Sequence, residues 1–382
     1  LMSLATQKGY HLFQTDITGA YLESTITDEL YMEVPPNLPR YDSDGDPIVC
    51  KIDRGLYGLK QAGHAWSECF KDFMMHDPKY KMGFTTMSGE PNLYRKAFTF
   101  KGQPAEVFVG QYVDDCLIAA SSTEVLHDFI ASLSARFPVN EASSGFISNE
   151  NPGLLLSMHV RYDIDKGILQ FDQRRAIESL AHKYGLDHIH QRKTLPLNPN
   201  DDLPKLLAPE KPEFVTEYLS MVGSCLHICQ VSRPDCSYAI GVLSRHSATP
   251  GEQHMAAARQ LISYMYHSRQ WCIQYTRTDS PGNSPEVIEY AEKRTIEERL
   301  VEGIPSSAPN SPQTFIDANL GGDRVTRKST SGLVIVMNGG PITWNSRLQK
   351  LCAQSSAESE IYAVVDSAKE ALHIKLLCEE CG

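Results

Sequence analysis

The segment VGQYVDDCLIAAS, Val109 to Ser121, sets two adjacent carboxylates, Asp114 and Asp115, at the break of an apolar β pattern. Val107, Val109 and Val113 share one strand parity and Leu117 to Ala120 read as the return strand, so the acids are predicted on or beside a hairpin turn. Adjacent acids that lose water repel each other unless a cation neutralises them. Oxygen-bound divalent ions about 3.5–4 Å apart do this in phosphoryl-transfer sites. Residue type alone leaves two readings open, a metal-neutralised pair or a solvated Asp-Asp turn on a surface hairpin.

A third carboxylate lies upstream. HLFQTDITGAYLES, His11 to Ser24, runs as a short apolar strand into Asp16, followed by small Gly19 and Ala20 and by Tyr21 five residues past the acid. This resembles the first polymerase motif of reverse transcriptases, and Tyr112-Val113-Asp114-Asp115 resembles their YxDD motif. Between them, KIDRGLYGLKQAGHAW (Lys51 to Trp66) is similar to the LYGLKQA signature of copia-type (Pseudoviridae-like) LTR retrotransposon polyproteins, with Leu56 to Ala62 matching without a gap. The resemblance continues through Tyr218–Asp235, which ends in a TRPD-like tetrapeptide, and through Leu243–Met265. It resumes in the RKSTSG and GGPISW-like blocks of Asp323–Lys350 and in SSAESEIYA, Ser355–Ala363.

The resemblance implies an α+β chain: a right-hand polymerase palm with partial fingers over 1–195, a linker and helical thumb or connection over 196–278, and the amino-terminal part of a ribonuclease H-like α/β domain over 313–382. It also implies an RNA-directed DNA polymerase that adds dNTPs to a primer 3′-hydroxyl on an RNA or DNA template-primer. Asp16 and Asp114 would bridge two Mg²⁺ ions and Asp115 would support them. Ile17 would offer a backbone carbonyl, Tyr21 would sit under the sugar and Gln61 would line the nucleotide pocket. Other retrotransposon polyprotein products are the implied partners. An intracellular setting, a cytoplasmic virus-like particle or the nucleus, is the implied location. A catalytically inactive relic that keeps the fold and binds nucleic acid is the alternative. An unrelated metal-dependent phosphohydrolase would explain the acids but not LYGLKQA.

A second acid site rests on Asp317, which ends the apolar run TFID and is expected on a central strand, and on Glu360, which opens a helical pattern. The resemblance makes both Mg²⁺ ligands of the ribonuclease H type, with Glu358 an alternative to Glu360. That fold takes further carboxylates beyond Gly382, so the expectation is a truncated domain without ribonuclease H activity. Little of the family's basic fingers segment stands before Asp16. Departures from the family pattern are Gly63, His64, Ser157, Asn319 and Leu320, of which Ser157 replaces a turn glycine suited to positive φ.

LPLNPNDDLPKLLAPEKPE, Leu195 to Glu213, reads as a linker, and helices are expected after it with breaks at Ser232–Pro234 and Pro250. Residues 279–312 form a charged, proline-bracketed insertion, expected as an exposed helix or loop. The net charge of −11 argues against undirected nucleic-acid affinity, leaving local basic stretches, Arg161–Lys193 and Arg324, Arg327, Lys328, Arg347 and Lys350, either to track phosphates or simply to be solvated. Ten irregularly spaced cysteines do not read as a disulfide framework; Cys378 and Cys381 fit helix-face thiols better than a zinc half-site, and Cys225 and Cys229 fit packing positions. Ser329–Ser346 is uncharged, but Asn338-Gly-Gly-Pro341 divides it into two strands rather than a membrane span, which predicts a soluble protein with no membrane partner.

Overall fold

Gln103–Tyr112 and Asp115–Ala120 are buried along most of their length, as near-continuous apolar runs in covered central strands should be. A computed structural model of the chain describes residues 1–188, 191–198, 203–278, 310–323 and 325–382. These group into one unit of His11–Phe146 with Leu1, and another of Met2–Tyr10 with Ile147–Gly382. The opening helix, α1 (Met2–Lys8), is counted with the latter.

In the first unit, β1 (His11–Asp16) is followed by a ribbon of β2 (Tyr31–Glu33) and β3 (Val49–Lys51) and by helix α2 (Ala62–Met75). Then come β4 (Thr85–Thr86), β5 (Leu93–Phe100), β6 (Gln103–Tyr112), β7 (Asp115–Ala120), α3 (Thr123–Arg136) and β8 (Gly145–Phe146). The sheet order is β4-β5-β6-β7-β1-β8, antiparallel throughout. Ala62, Trp66, Phe70, Phe73 and Met74 recur at helical spacing on α2 and are buried. Phe137 receives three of their rings, at centroid distances of 5.2 Å for Trp66, 5.9 Å for Phe70 and 5.1 Å for Phe73. Ser122 caps α3, its hydroxyl accepting the Val125 amide.

In the second unit, β9 (Gly153–Leu155), β10 (Met158–Asp163), β11 (Ile168–Asp172) and β12 (Ile273–Thr276) form a sheet in the order β12-β11-β10-β9. Helices α4 (Arg174–Lys183), α5 (Pro212–Val231), α6 (Ser237–Ser244) and α7 (Glu252–His267) share one apolar cluster. A second antiparallel sheet, β13 (Gln313–Asn319), β14 (Thr330–Met337) and β15 (Gly340–Leu348), carries the long helix α8 (Ser356–Cys381). Pro212 occupies the first turn of α5, where its missing N–H costs nothing. The breaks at Ser232–Pro234 and before Glu252 fall where the prolines placed them. Cys225 and Cys229 are buried packing residues, and all ten cysteines are free. The uncharged stretch is a hairpin turning at Asn338 and Gly339, both at positive φ. Among the described residues no helix is long and apolar enough to cross a membrane.

The compact units part between Phe146 and Ile147, because β11 hydrogen-bonds to β12 and α4 packs on α7, tying the segment before the linker to the helices after it. Two details differ from the sequence reading. Val113 is not a strand residue; β6 stops at Tyr112. Asp317 lies on the edge strand of its described sheet, not a central one. Most of the insertion, 279–309, and Arg324 of the basic cluster lie outside the described residues. Ser157, with Leu156, does adopt positive φ, +62° and +49°, in the tight β9-β10 turn, the conformation a glycine would meet without strain.

The tetrapeptide Ser232-Arg-Pro-Asp235 has a structural meaning. Arg233, 2% exposed, donates to both Asp235 oxygens (2.9 and 2.7 Å) and to the Ser268 hydroxyl, and lies over the Tyr264 and Trp271 rings. Burial alone would raise the Asp235 carboxyl, but the guanidinium holds it below its ordinary range. Asp235→Asn strands a buried cation and is expected to cost roughly 3–5 kcal/mol by urea denaturation. Arg233→Met leaves a partly exposed carboxylate and should cost less.

His246 and His254 stack at 4.1 Å, and His254 Nδ1 accepts the Gly251 amide at the start of α7. Burial, then His254 and Arg245, pull His246 down to about 4, with Asp323 opposing; burial also lowers His254. An unfolded histidine takes a proton near pH 6.5 while folded His246 resists until about 4, so this pair's stability is full above about 6.5 and is lost as pH falls toward 4. Thermal midpoints measured from pH 7 to 4 should fall more steeply for the native chain than for His246→Phe.

Candidate active site

β1 ends on Asp16, and the residue opposite it on β7 is Asp115. Asp115 in turn pairs with Tyr112 across the β6-β7 hairpin, leaving Val113 and Asp114 as a two-residue loop. The Ile17 amide donates to the Asp114 carbonyl at 2.9 Å, so the loop is sewn to the end of β1. Three partly buried carboxylates thus come together from segments far apart in sequence. The cause is the antiparallel β1-β7 register, which the apolar patterns of both strands enforce.

The carboxylates act on one another. Burial, then the charges of Asp114 and Asp16, push the Asp115 carboxyl above its ordinary range, and burial and the same acids push the buried Cys116 thiol up. Asn140 donates from its backbone to the Asp16 carbonyl (2.9 Å) and from its amide side chain to Asp16 Oδ2 (3.3 Å), steering that carboxylate. Among the described residues, no three His, Cys, Asp or Glu side chains are already drawn into a ligand group. The donor chemistry still fits Mg²⁺, since hard carboxylate oxygens converge on adjacent strands and one of them carries repulsion a cation would relieve.

The loop itself is strained. Val113 has φ +57°, and it is the first of two hairpin residues, a position that favours glycine in type II′ turns. A β-branched residue there costs on the order of 1–3 kcal/mol. Its carbonyl accepts the Trp66 indole N–H at 2.6 Å and the Gln111 side-chain amide at 3.1 Å.

Tyr21 is placed by a turn. Gly19, at φ +65°, opens a 3₁₀ turn over Ala20–Glu23, and Tyr57 packs on Tyr21 with ring centroids 4.7 Å apart. The glycines of the LYGLKQA region have physical causes. A Cβ on Gly55 would stand 2.5 Å from the Tyr21 carbonyl oxygen, and Gly58 sits at φ +98°. Tyr57 is 63% exposed, yet partial burial, then Asp114, Tyr21 and Asp16, raise its phenol. Gln61 precedes α2 and donates to Asp28 Oδ2 at 3.1 Å, while Gly63 and His64 are exposed in the first turn of α2.

At the second site, Asp317 is exposed opposite Gly332, and Glu360 Oε1 accepts the neighbouring Ala318 amide at 3.4 Å. Glu358 is committed to the start of α8, taking the Gln354 amide (2.7 Å) and the Tyr362 hydroxyl (3.1 Å). Of the two glutamates, Glu360 faces Asp317's strand. Asn319 accepts the Thr330 amide and Leu320 is half-exposed. Within Arg161–Lys193, Arg161, Lys166 and Arg174 pair with Asp172, Asp163 and Glu178, which spends part of that basic stretch internally.

Sequence reasoning missed Asn140, Trp66 and Tyr57 as partners of the site. Tyr57 and Trp66 stand inside or beside a motif already singled out, but their contacts are tertiary. Asn140 sits in an unremarkable loop, and only its position 124 residues from Asp16 in sequence, closed by folding, gives it a role.

Residues 1–184 match the family described as reverse transcriptase (RNA-dependent DNA polymerase). Over its full length the chain is 27% identical to the retrovirus-related Pol polyprotein from transposon RE1 of Arabidopsis thaliana and 27% identical to that from transposon TNT 1-94 of Nicotiana tabacum. It spans 22% and 26% of those two relatives. It is 25% identical to the putative transposon Ty5-1 protein of Saccharomyces cerevisiae, over 93% of this chain and 99% of that one.

Asp115's folded pKa lies above its unfolded value, so its ionised form works against folding as pH rises through the folded pKa. Asp16→Asn removes one repelling charge. In buffer free of divalent ions at pH 7 its thermal midpoint should exceed the native one, and the gain should vanish at a pH low enough to protonate Asp115 in both proteins. A lower midpoint at pH 7 would mean that repulsion is not what Asp16 contributes there.

Proposed function

We propose that the chain is part of a copia-type retrotransposon polyprotein and that its first unit, within the residues 1–184 that match the reverse transcriptase family, is the site of RNA-directed DNA synthesis, joining dNTPs to a primer 3′-hydroxyl. The observation that carries this reading is the pairing of Asp16 with Asp115 beside the Asp114 loop. Asp16 and Asp114 would hold two Mg²⁺ ions and Asp115 would support them. Bound there, the ions would supply a lowered pKa at the primer hydroxyl and charge neutralisation at the triphosphate.

The protein's own groups do the rest. Asn140 orients Asp16, and the Ile17 amide fixes the Asp114 loop against β1, leaving the Ile17 carbonyl as the further oxygen donor. Tyr21, backed by Tyr57, presents a phenol face that leaves room for deoxyribose and collides with a 2′-hydroxyl. Gln61 lines the nucleotide pocket from the start of α2. In the second unit, Asp317 and Glu360 are the first two acids of a ribonuclease H-like Mg²⁺ cluster, supported by the proximity of Glu360 to Asp317's strand. The template-primer is RNA or DNA, the partners are other polyprotein products, and the setting is an intracellular particle or the nucleus.

Primer extension by the full chain tests this. Asp114→Asn should slow dNTP incorporation by roughly 10²–10⁴-fold, the rate equivalent of several kcal/mol of metal-held charge. A native chain that binds primer-template but extends nothing would return the relic reading.

Tyr21→Ala should raise ribonucleotide incorporation relative to deoxynucleotide. A hindrance on the order of 2–4 kcal/mol corresponds to roughly 30- to 1000-fold discrimination. Tyr57→Ala, which removes only the ring behind Tyr21, should shift the ratio the same way by less. Unchanged sugar selectivity in an active Tyr21→Ala enzyme would reduce that ring to packing.

A further inference from the structure

We propose that the indole N–H of Trp66 is a positioning group for the polymerase carboxylates, a latch on the strained loop that carries them; the inference rests on the polymerase reading of that site. Trp66 is 1% exposed and cannot touch substrate from there. Its ring is held by Phe70 and Phe137, and its N–H, buried with it, needs an acceptor. That acceptor is the Val113 carbonyl, at 2.6 Å.

The choice of carbonyl matters. In a two-residue hairpin loop the peptide between the loop residues is the one that rotates when the turn changes type, and here it comprises the Val113 C=O and the Asp114 N–H. Rotation of that peptide changes ψ of Val113 and φ of Asp114, while relaxation of the valine, at φ +57°, changes φ of Val113 itself; these are two separate motions of one loop. Either one moves Asp114 and disturbs the approach to Asp115. Trp66 from α2 and Gln111 from β6 both donate to the oxygen that such a rotation would carry away. The hydrogen bond therefore holds a backbone conformation that valine by itself disfavours. It links the helix that follows the LYGLKQA block to the acids of the hairpin.

The test is a double-mutant cycle in the full chain with Trp66→Phe, which keeps an aromatic ring and removes the N–H, and Val113→Gly, which makes positive φ acceptable. Single-turnover incorporation of a dNTP should show Trp66→Phe lowering the maximal rate about tenfold, equivalent to about 1.4 kcal/mol, with the apparent dNTP affinity changed less than about twofold. In the Val113→Gly background the same substitution should cost less than about threefold. Equal losses in both backgrounds, or a loss confined to affinity, would overturn the latch. Hydrogen exchange by NMR reads it without turnover. The Trp66 indole proton should be strongly protected, and the Asp114 and Asp115 amides should exchange faster in Trp66→Phe than in the native chain. A rapidly exchanging indole, or unchanged hairpin amides, would also overturn it. If the native chain extends no primer, the polymerase reading fails, and the exchange data alone decide the latch.

Discussion

Everything proposed for the first unit depends on the antiparallel pairing of β1 with β7. The register sets Asp16 opposite Asp115, and a slip of one residue would turn one acid to the other face of the sheet. That register is over-determined. Leu12, Phe13, Cys116, Leu117 and Ile118 are all buried, so shifting it would expose the core at several positions at once. The sheet thus holds like charges together at a cost visible in the raised Asp115 carboxyl. On the proposed polymerase reading a cation would relieve that repulsion, whereas a solvated surface turn would let the acids separate. Their partial burial and mutual influence support the metal-neutralised reading of the two that residue type left open.

Legibility followed how local the cause was. The hairpin, the helix breaks at prolines, the division of the uncharged stretch and the positive φ at Ser157 all follow from short-range chemistry and could be read directly. The LYGLKQA block was visible as a pattern, but its reasons were not: Gly55 is small because the Tyr21 carbonyl passes over it, and Trp66 is a tryptophan with an acceptor waiting on a distant loop. Val113 misled because its side chain has strong strand propensity, and the tertiary hydrogen bonds on its carbonyl outweigh that preference. Composition marks a linker near residue 195, while strand pairing across it decides which segments cohere into compact units.

Glu358 and Glu360 show how structure separates residues that a motif cannot. Both lie near the start of α8, and two positions apart on a helix they point in different directions. Glu358, three residues after the capping Ser355, satisfies otherwise unpaired donors at the helix start. Glu360 reaches across to β13. The acid near the cap is occupied by the needs of its own helix, and the acid that faces the strand is the one the proposed second site takes.

The same division runs through the motif residues of the second unit. Arg233 and Asp235 stand in a tetrapeptide as prominent as the YxDD-like segment, yet their charges are consumed by each other, by Ser268 and by two aromatic rings. The buried Arg233 guanidinium is spent on Asp235 and Ser268, and the pair fixes the junction between α5 and α6. The acids of the first unit are the reverse case, like charges brought together with only Asn140 to answer one of them. Matched charges mark architecture here, and the proposed metal-dependent chemistry at Asp16, Asp114 and Asp115 rests on that contrast more than on the prominence of either motif.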